Sequence, residues 1–322
     1  MDRAGNTLRQ DPVEGKPEPR LTENPLMTLL GKKSVSVYAA LMTISLRAFM
    51  GWVAASAACA LVGCGPSDQP GAPAKPKKLV VAMDATYPPF EVVDEKGEFY
   101  GVSVDLGREL GKFLGREVEF RNINFDGLIA ALKSGSVDCV ISSMSANDDR
   151  RRSIDFSDPY VKTGLAILAA AKSPVQSLED LKAPGRRVAV RLGTTGEQYA
   201  RQFLPDASLV VLDSDTACVM EVVKAGVDAW IYDQLSLMNY HNRHPEATRV
   251  LLQPLREEVW AIGIQQGNTD LKTKANEFLA KFRAEGGFAR LGDKYLAKEK
   301  EVMKELGIPF VFDLEPGDLG KK

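Results

Sequence analysis

Ser142, Ser143, Ser145 and Arg150 bring three hydroxyls and a guanidinium together in the stretch VDCVISSMSANDDR. They follow an apolar, β-branched run (Val137, Val140, Ile141) that predicts a buried strand, and Arg150 falls in a predicted short helix. Hydroxyls and loop N–H groups at the carboxyl end of a strand make a socket for a small carboxylate. The planar fork of an arginine can grip both carboxylate oxygens at once. Ligands of open α/β sheets sit in the crevice beyond the strand ends. A plainer role fits the same residues, with the serines capping a helix and Arg150 a solvated first-turn charge. The socket therefore depends on what converges with it.

Three further sets of polar or aromatic residues follow predicted strands. Asp84 ends a strand at 78–84, with Tyr87 and Phe90 just after it, and Phe125 follows a strand at 118–123. Arg191 and the Thr194-Thr195-Gly196 turn close a strand at 187–193 and open a helix, and Asp233 ends a strand at 229–232. Together these suit a zwitterion. Arg150, the serines and the free N–H groups of the Thr195 helix favour an anion. Asp233 suits an ammonium group, and the faces of Tyr87 and Phe125 suit an apolar stem or a cation. Asp84 and Asp233 also fit as turn formers, and Thr194 and Thr195 as helix caps. Phe90 fits the core better than a pocket, and Arg151 and Arg152 fit solvent.

The elements that must place these groups alternate. The first region reads β-α-β-α-β: strands at 78–84, 118–123 and 137–142, with helices at 104–115 and after Phe125. Turn-like residues fill 85–90. The pattern then restarts with an extended run at 165–171, strands at 187–193, 208–212 and 229–232, and helices through Leu204, at 214–225 and at 234–241. A strand at 258–265 and helices at 270–282 and 287–306 finish the chain. Such alternation predicts an α/β fold of two lobes, each a mostly parallel sheet flanked by helices. No sequence repeat relates the two halves.

Residues 48–63 carry no charge, follow Arg47, and end in Leu61-Val62-Gly63-Cys64. A positive flank, a short apolar run and small residues before a cleavage point read as a secretory signal, too short for a comfortable membrane span. Residues 1–63 are thus a signal region, with Met27 and Met42 as alternative starts. Residues 64–77, rich in Pro, Gly and Lys, read as a tether with no core of its own. The part from Cys64 onward suits two domains of about 120 residues each.

The chain has 43 acidic and 41 basic side chains, and no basic cluster is interleaved with aromatics, which argues against nucleic acid as a partner. Cys139 and Cys218 fall in separate apolar elements and read as two buried thiols, although an exported compartment permits a disulfide. His241 and His244 are placed in a loop without acidic or thiol partners, so no metal site is expected. No catalytic signature for hydrolysis or phosphate binding is present.

DATYPPFE (84–91), G-x-x-V-D-L (101–106), FDGLIAAL (125–132), SSMSANDDR (142–150), IDFSDPY (154–160), GTT (193–195) and Asp233 stand in an order that resembles family 3 solute-binding proteins, the polar-amino-acid receptors of bacterial ABC importers. The likeness covers about residues 78–297. The resemblance implies a type II periplasmic-binding-protein fold: lobe one at 78–165 plus 260–322, lobe two at 166–259, joined by two hinge strands near 162–168 and 257–262. It implies that Ser143, Ser145, Arg150 and Thr195 take an α-carboxylate and that Asp233, helped by Ser143, takes the α-ammonium. Tyr87 and Phe125 would line the side-chain pocket, and Asp84 and Arg191 would reach its far end; Ser142 and Thr194 join the candidate ligand-binding set by their strand-end positions alone. The L-V-G-C ending resembles a lipobox, which implies lipidation of Cys64 and a membrane-anchored, exported monomer facing the periplasm or cell exterior.

The implied partners are a free amino acid, an ABC permease and the ATPase behind it, with no cofactor. The lobes would close on the ligand. Two departures bear on specificity. Gly196 stands where the family often has Gln or Ser, and Asp84 and Arg191 give opposed cues, so a polar or basic amino acid is the expected ligand. A sensory receptor and a cyclohexadienyl-dehydratase-like enzyme are the alternatives, the latter needing an acid or base such as Asp84. The residues from 299 to 322 carry no functional reading.

Overall fold

The computed structural model describes residues 77–318. The signal region, Cys64 and the tether as far as Pro76 lie outside the described residues. In chain order the elements begin with β1 (Leu79–Met83), β2 (Thr86–Tyr87), β3 (Glu91–Val93), β4 (Phe99–Tyr100) and α1 (Val102–Leu114). Next come β5 (Val118–Asn122), a 3-10 turn at Phe125–Gly127, α2 (Leu128–Lys133), β6 (Cys139–Val140), α3 (Asp148–Arg151) and β7 (Ile154–Ala170). The chain continues through α4 (Leu178–Leu181), β8 (Arg187–Arg191), α5 (Thr195–Phe203), β9 (Ser208–Leu212), α6 (Asp215–Val223), β10 (Ala229–Asp233), α7 (Gln234–Arg243) and β11 (Thr248–Gln265). It finishes with α8 (Thr269–Ala284), α9 (Gly287–Tyr295) and α10 (Ala297–Glu305).

One eight-stranded sheet orders these strands β5-β1-β6-β11-β7-β10-β8-β9. At one end β1 runs parallel to β5 and β6, and at the other β8 runs parallel to β9 and β10. Every residue of β1 (LVVAM) is buried, as a parallel strand with neighbours on both sides requires. The long strands β7 and β11 pair antiparallel along both lobes and link them. Their register slips between Leu251 and Arg256 and again around Ala261, which faces Pro159. Proline offers no N–H to the ladder there.

Amphipathic helices cover the sheet. In α1, Leu106 and Leu110 are fully buried, and Gly115 ends the helix in the left-handed region at φ 65°, as a C-terminal glycine does. Trp230, Tyr160, Phe90 and Phe156 are the largest fully buried side chains, so Phe90 belongs to the core.

Several elements differ from expectation. Residues 85–90 are not simply a turn, because Thr86–Tyr87 pairs with β3 and opens a small sheet, β2-β3-β4. β7 begins at Ile154 and β11 at Thr248, well before the expected runs at 165 and 258. Their polar stretches are extended by pairing with one another, which overrides side-chain pattern. The helix expected at 287–306 breaks at Leu296, a fully buried residue that ends α9. His241 is not in a loop. It lies in the last turn of α7, where Nδ1 stands 3.0 Å from Thr248 Oγ1, and His244 ends the helix. Among the described residues no His, Cys, Asp or Glu cluster suits a metal, and no helix is long and apolar enough to cross a membrane.

Cys139 and Cys218 are separate buried thiols, and burial pushes the Cys139 thiol up to about 12. The segment after α10 returns to the linking strands: Lys162 N–H donates to Val311 O (2.8 Å), and Lys162 Nζ pairs with Asp318 (3.3 Å) and Glu257 (3.5 Å).

Candidate functional site

All eleven expected site residues, Asp84, Tyr87, Phe125, Ser142, Ser143, Ser145, Arg150, Arg191, Thr194, Thr195 and Asp233, line one cavity. It lies beyond the strand ends of both lobes and holds about 30 Å³ of free space. Glu91, Leu165, Tyr232, Glu258 and Trp260 complete its wall. Outside it runs a groove of about 950 Å³ that shares Ser145 and Glu258 with the cavity.

One side carries the hydroxyls and the guanidinium. Asn147 caps α3 by accepting from Arg150 N–H (2.9 Å), which aims the Arg150 side chain back across the strand ends. Its guanidinium is buried, donates to Ser145 O (2.8 Å) and to Gly193 O of the other lobe (3.0 Å), and lies 5.2 Å from the Phe125 ring centre. Burial pulls Arg150 down to about 10. Thr194 does act as a cap: its hydroxyl donates to Arg191 O and accepts from Glu197 N–H. Thr195 opens α5, and its hydroxyl turns to Glu258 instead of capping the helix. Gly196 is forced, since a Cβ there would collide with Ile231 O; the close approach of α5 to β10 excludes any larger residue.

Neither Ser145 nor Thr195 is left to solvent. Ser145 Oγ donates to Glu258 Oε2 (2.6 Å) and Thr195 Oγ1 donates to the same oxygen (2.8 Å). Glu258 Oε1 in turn accepts from Arg256 Nε (3.2 Å) and Nη2 (2.6 Å).

At the far end Arg191 lies between two acids. It donates to Asp84 Oδ2 and, over 2.8 Å, to Asp215 Oδ1, with all three side chains at most 5% exposed. Asp84 is further held by Thr86 Oγ1 (2.8 Å) and Phe125 N–H (3.0 Å). Ser142 Oγ accepts from Asp84 N–H (2.9 Å), so it fixes the strand end. Burial works against the Arg191 charge, but Tyr232, Asp215 and Asp84 outweigh it and hold its pKa up. Burial raises Asp215 to about 6 despite Arg191.

Asp233 ends β10 and caps α7, accepting from Ser236 N–H (3.0 Å). Burial raises its carboxyl to about 7. Tyr87, Tyr232 and Trp260 meet beside it, with Tyr87 5.9 Å from Trp260 and 6.2 Å from Tyr232 in edge-on contacts. Ser143 is a non-glycine at φ 47°, and its buried hydroxyl completes no hydrogen bond. Such strain concentrates at functional positions. Burial holds Glu91 well above the carboxylate range, with Ser103 Oγ donating to it at 2.5 Å.

Sequence reasoning missed Glu258, Tyr232, Trp260, Glu91 and Asp215. Tyr232 adjoins Asp233, and Glu91 closes the quoted DATYPPFE run, so both were within reach. Asp215 opens a helix, and Glu258 and Trp260 sit on the returning strand; no local pattern points any of the three at the site.

A two-lobed α/β sheet with a buried polar cavity between its lobes defines a binding protein of the type II periplasmic class. The chain belongs to the bacterial extracellular solute-binding proteins, family 3, whose model matches residues 79–298. It is 31% identical to a probable histidine-binding protein of Neisseria gonorrhoeae, over 77% of this chain and 96% of that protein. It is 31% identical to the arginine-binding extracellular protein ArtP of Bacillus subtilis, over 77% of this chain and 97% of that one. Among solved structures it resembles an ancestral amino acid-binding protein described as a precursor of cyclohexadienyl dehydratase. That likeness has a TM-score of 0.62 and 34% identity, covering 68% of this chain and 94% of that chain.

Proposed function

We propose that this chain is the substrate-binding component of an amino-acid ABC importer. It captures a free polar or basic amino acid between its lobes and delivers it to a membrane permease. The observation that carries the reading is the polarity of the cavity between the lobes. Arg150, Ser145 and Thr195 stand at one side and Asp233 at another, as an α-carboxylate and an α-ammonium require. Ser143, whose hydroxyl lies beside Glu91, serves the same headgroup, and Tyr87 and Phe125 flank the side chain.

The free space equals roughly two waters at 10–15 Å³ each, so an amino acid enters only when the lobes part. A ligand touching both lobes then favours closure by its differential affinity. The lobe boundaries are 78–165 plus 260–322 and 166–259, with the hinge at the linking strands. The role is binding without catalysis. Asp84, the acid or base that a dehydratase would need, is occupied by Arg191, Thr86 and the Phe125 N–H. Export with acyl chains on Cys64 would keep a monomer near its permease.

The test is a thermal-shift screen of residues 77–322 with the twenty amino acids. A ligand at a hundred times its Kd adds about 2.7 kcal/mol, which for a domain this size raises Tm by roughly 5–10 °C. Arg150→Ala abolishes the shift. If no amino acid moves Tm, or if Arg150→Ala binds normally, the reading fails.

A further inference from the structure

Glu258 occupies the place where the ligand's carboxylate is expected. Its Oε2 accepts hydrogen bonds from Ser145 Oγ at 2.6 Å and Thr195 Oγ1 at 2.8 Å, one hydroxyl from each lobe. A hydroxyl has a single O–H to donate. While Glu258 holds both, neither can serve a second carboxylate. From these contacts we infer that Glu258 is an intramolecular competitor for the carboxylate subsite, a residue that an incoming ligand must displace. This inference rests on the amino-acid-binding reading above.

The surroundings of Glu258 permit such an exchange. Its side chain is only 5% exposed, yet it stands at the boundary of the cavity, lining both the inner space and the outer groove of about 950 Å³. Its partner Arg256 is 34% exposed in its side chain and lines that groove too. A displaced Glu258 carboxylate can therefore turn outward with its counter-ion still attached. The backbone need not move for this, since Arg256 to Trp260 stay paired in register with Leu165 to Val161 of β7 and only the side chains turn. Arg150 directs its hydrogen bonds to Ser145 O and Gly193 O, so the guanidinium stays in place while the two hydroxyls change partner.

The competition has two consequences. It weakens every amino acid by the same factor, because it acts on the group that all of them share. It also supplies closing contacts between the lobes from within the chain, through one oxygen bonded to both. A solute with no carboxylate cannot replace Glu258 on the hydroxyls.

Calorimetric titration of the wild type, Glu258→Gln and Glu258→Ala with each of the twenty amino acids tests the inference. Removing the competing charge tightens binding of whichever amino acid binds by at least about tenfold in both variants, a difference of about 1.4 kcal/mol, with an unchanged circular dichroism spectrum. A second arm uses the unaltered protein. A crystal structure of its complex with that amino acid shows Glu258 Oε2 beyond hydrogen-bond distance of Ser145 Oγ and Thr195 Oγ1. Equal or weaker binding by a folded variant overturns the inference, as does a complex in which Glu258 keeps both hydroxyls. If a variant does not fold, the wild-type complex decides. If the wild type binds none of the twenty amino acids, the parent reading has failed. If it binds and the variants do not bind more tightly, only the role of Glu258 has failed.

Discussion

Replacing Arg191 by methionine keeps most of the side-chain volume and removes the cation between two buried carboxylates. Asp84 Oδ2 and Asp215 Oδ1 lose their shared donor, and all three side chains are at most 5% exposed. Removing one partner of a buried ion pair costs about 3–5 kcal/mol, because the remaining charge is left uncompensated. At roughly 2–4 °C per kcal/mol for a domain this size, Tm at pH 8 falls by roughly 6–20 °C. The loss depends on pH in a defined direction. Burial already raises Asp215 to about 6 with Arg191 beside it, and without that cation its pKa rises further. Asp215 then escapes more of the penalty by taking up a proton at pH 5 than at pH 8. Scanning calorimetry of wild type and Arg191→Met at both values reads the difference.

The same variant resolves the opposed specificity cues. With Arg191 gone, Asp84 is open to a cationic side chain, so binding of L-arginine improves relative to L-glutamine. A Tm within about 2 °C of wild type at pH 8, less than 1 kcal/mol on the same scale, would show that Arg191 is not the counter-ion of these acids. The explanation of the ion-paired far end would then be wrong.

Asp233 gives a second pH signature. Its folded carboxyl titrates at about 7 because of burial, against about 3.9 when unfolded. Between these values the folded state binds more protons than the unfolded one, so this group's contribution to stability falls as pH rises from about 4 to about 7. The full span is on the order of 4 kcal/mol. Urea midpoints measured from pH 4 to 8 should decline more in wild type than in Asp233→Asn, and parallel curves would remove the basis for the shift. An ammonium ligand prefers the ionised carboxylate, so amino-acid binding tightens from pH 6 to 8 and releases protons near pH 7; calorimetry in buffers of different ionisation enthalpy measures that release. For the proposed anchor, Cys64→Ser moves the expressed protein from the membrane fraction to the soluble one, and unchanged fractionation would argue against lipidation.

The residues that could be read from sequence are those whose position relative to a strand end carries their meaning. Asp84, Ser142 to Ser145, Arg191, Thr195 and Asp233 each follow an apolar run, and a parallel sheet gathers such ends on one edge. That is why the whole expected set lines one cavity. The plainer roles were real as well. Thr194 is a cap and Ser142 secures a backbone N–H, while Asp233 caps α7 and also faces the cavity. One side chain can do both kinds of work, so capping and cavity lining coexist at these positions.

What stayed hidden was the identity of the partners. Pairing between β7 and β11 joins residues about a hundred positions apart, and it extends polar stretches whose own pattern predicts no strand. The contact between Ser145 and Glu258 spans 113 positions and that between Arg191 and Asp84 spans 107. Local periodicity carries no record of such separations. The conflict between Asp84 and Arg191 follows from this, since two residues that oppose one another as ligand contacts are allies as an ion pair. Asp215, invisible as a site residue, turns that pair into a triad. Choice among amino acids therefore rests less on the charge of any one residue than on which donors and acceptors the protein has already spent on itself. By that argument the far end of the cavity presents a ligand side chain with acids already paired to Arg191, at most one net negative charge for the triad, and the carboxylate end offers two hydroxyls only once Glu258 has let them go.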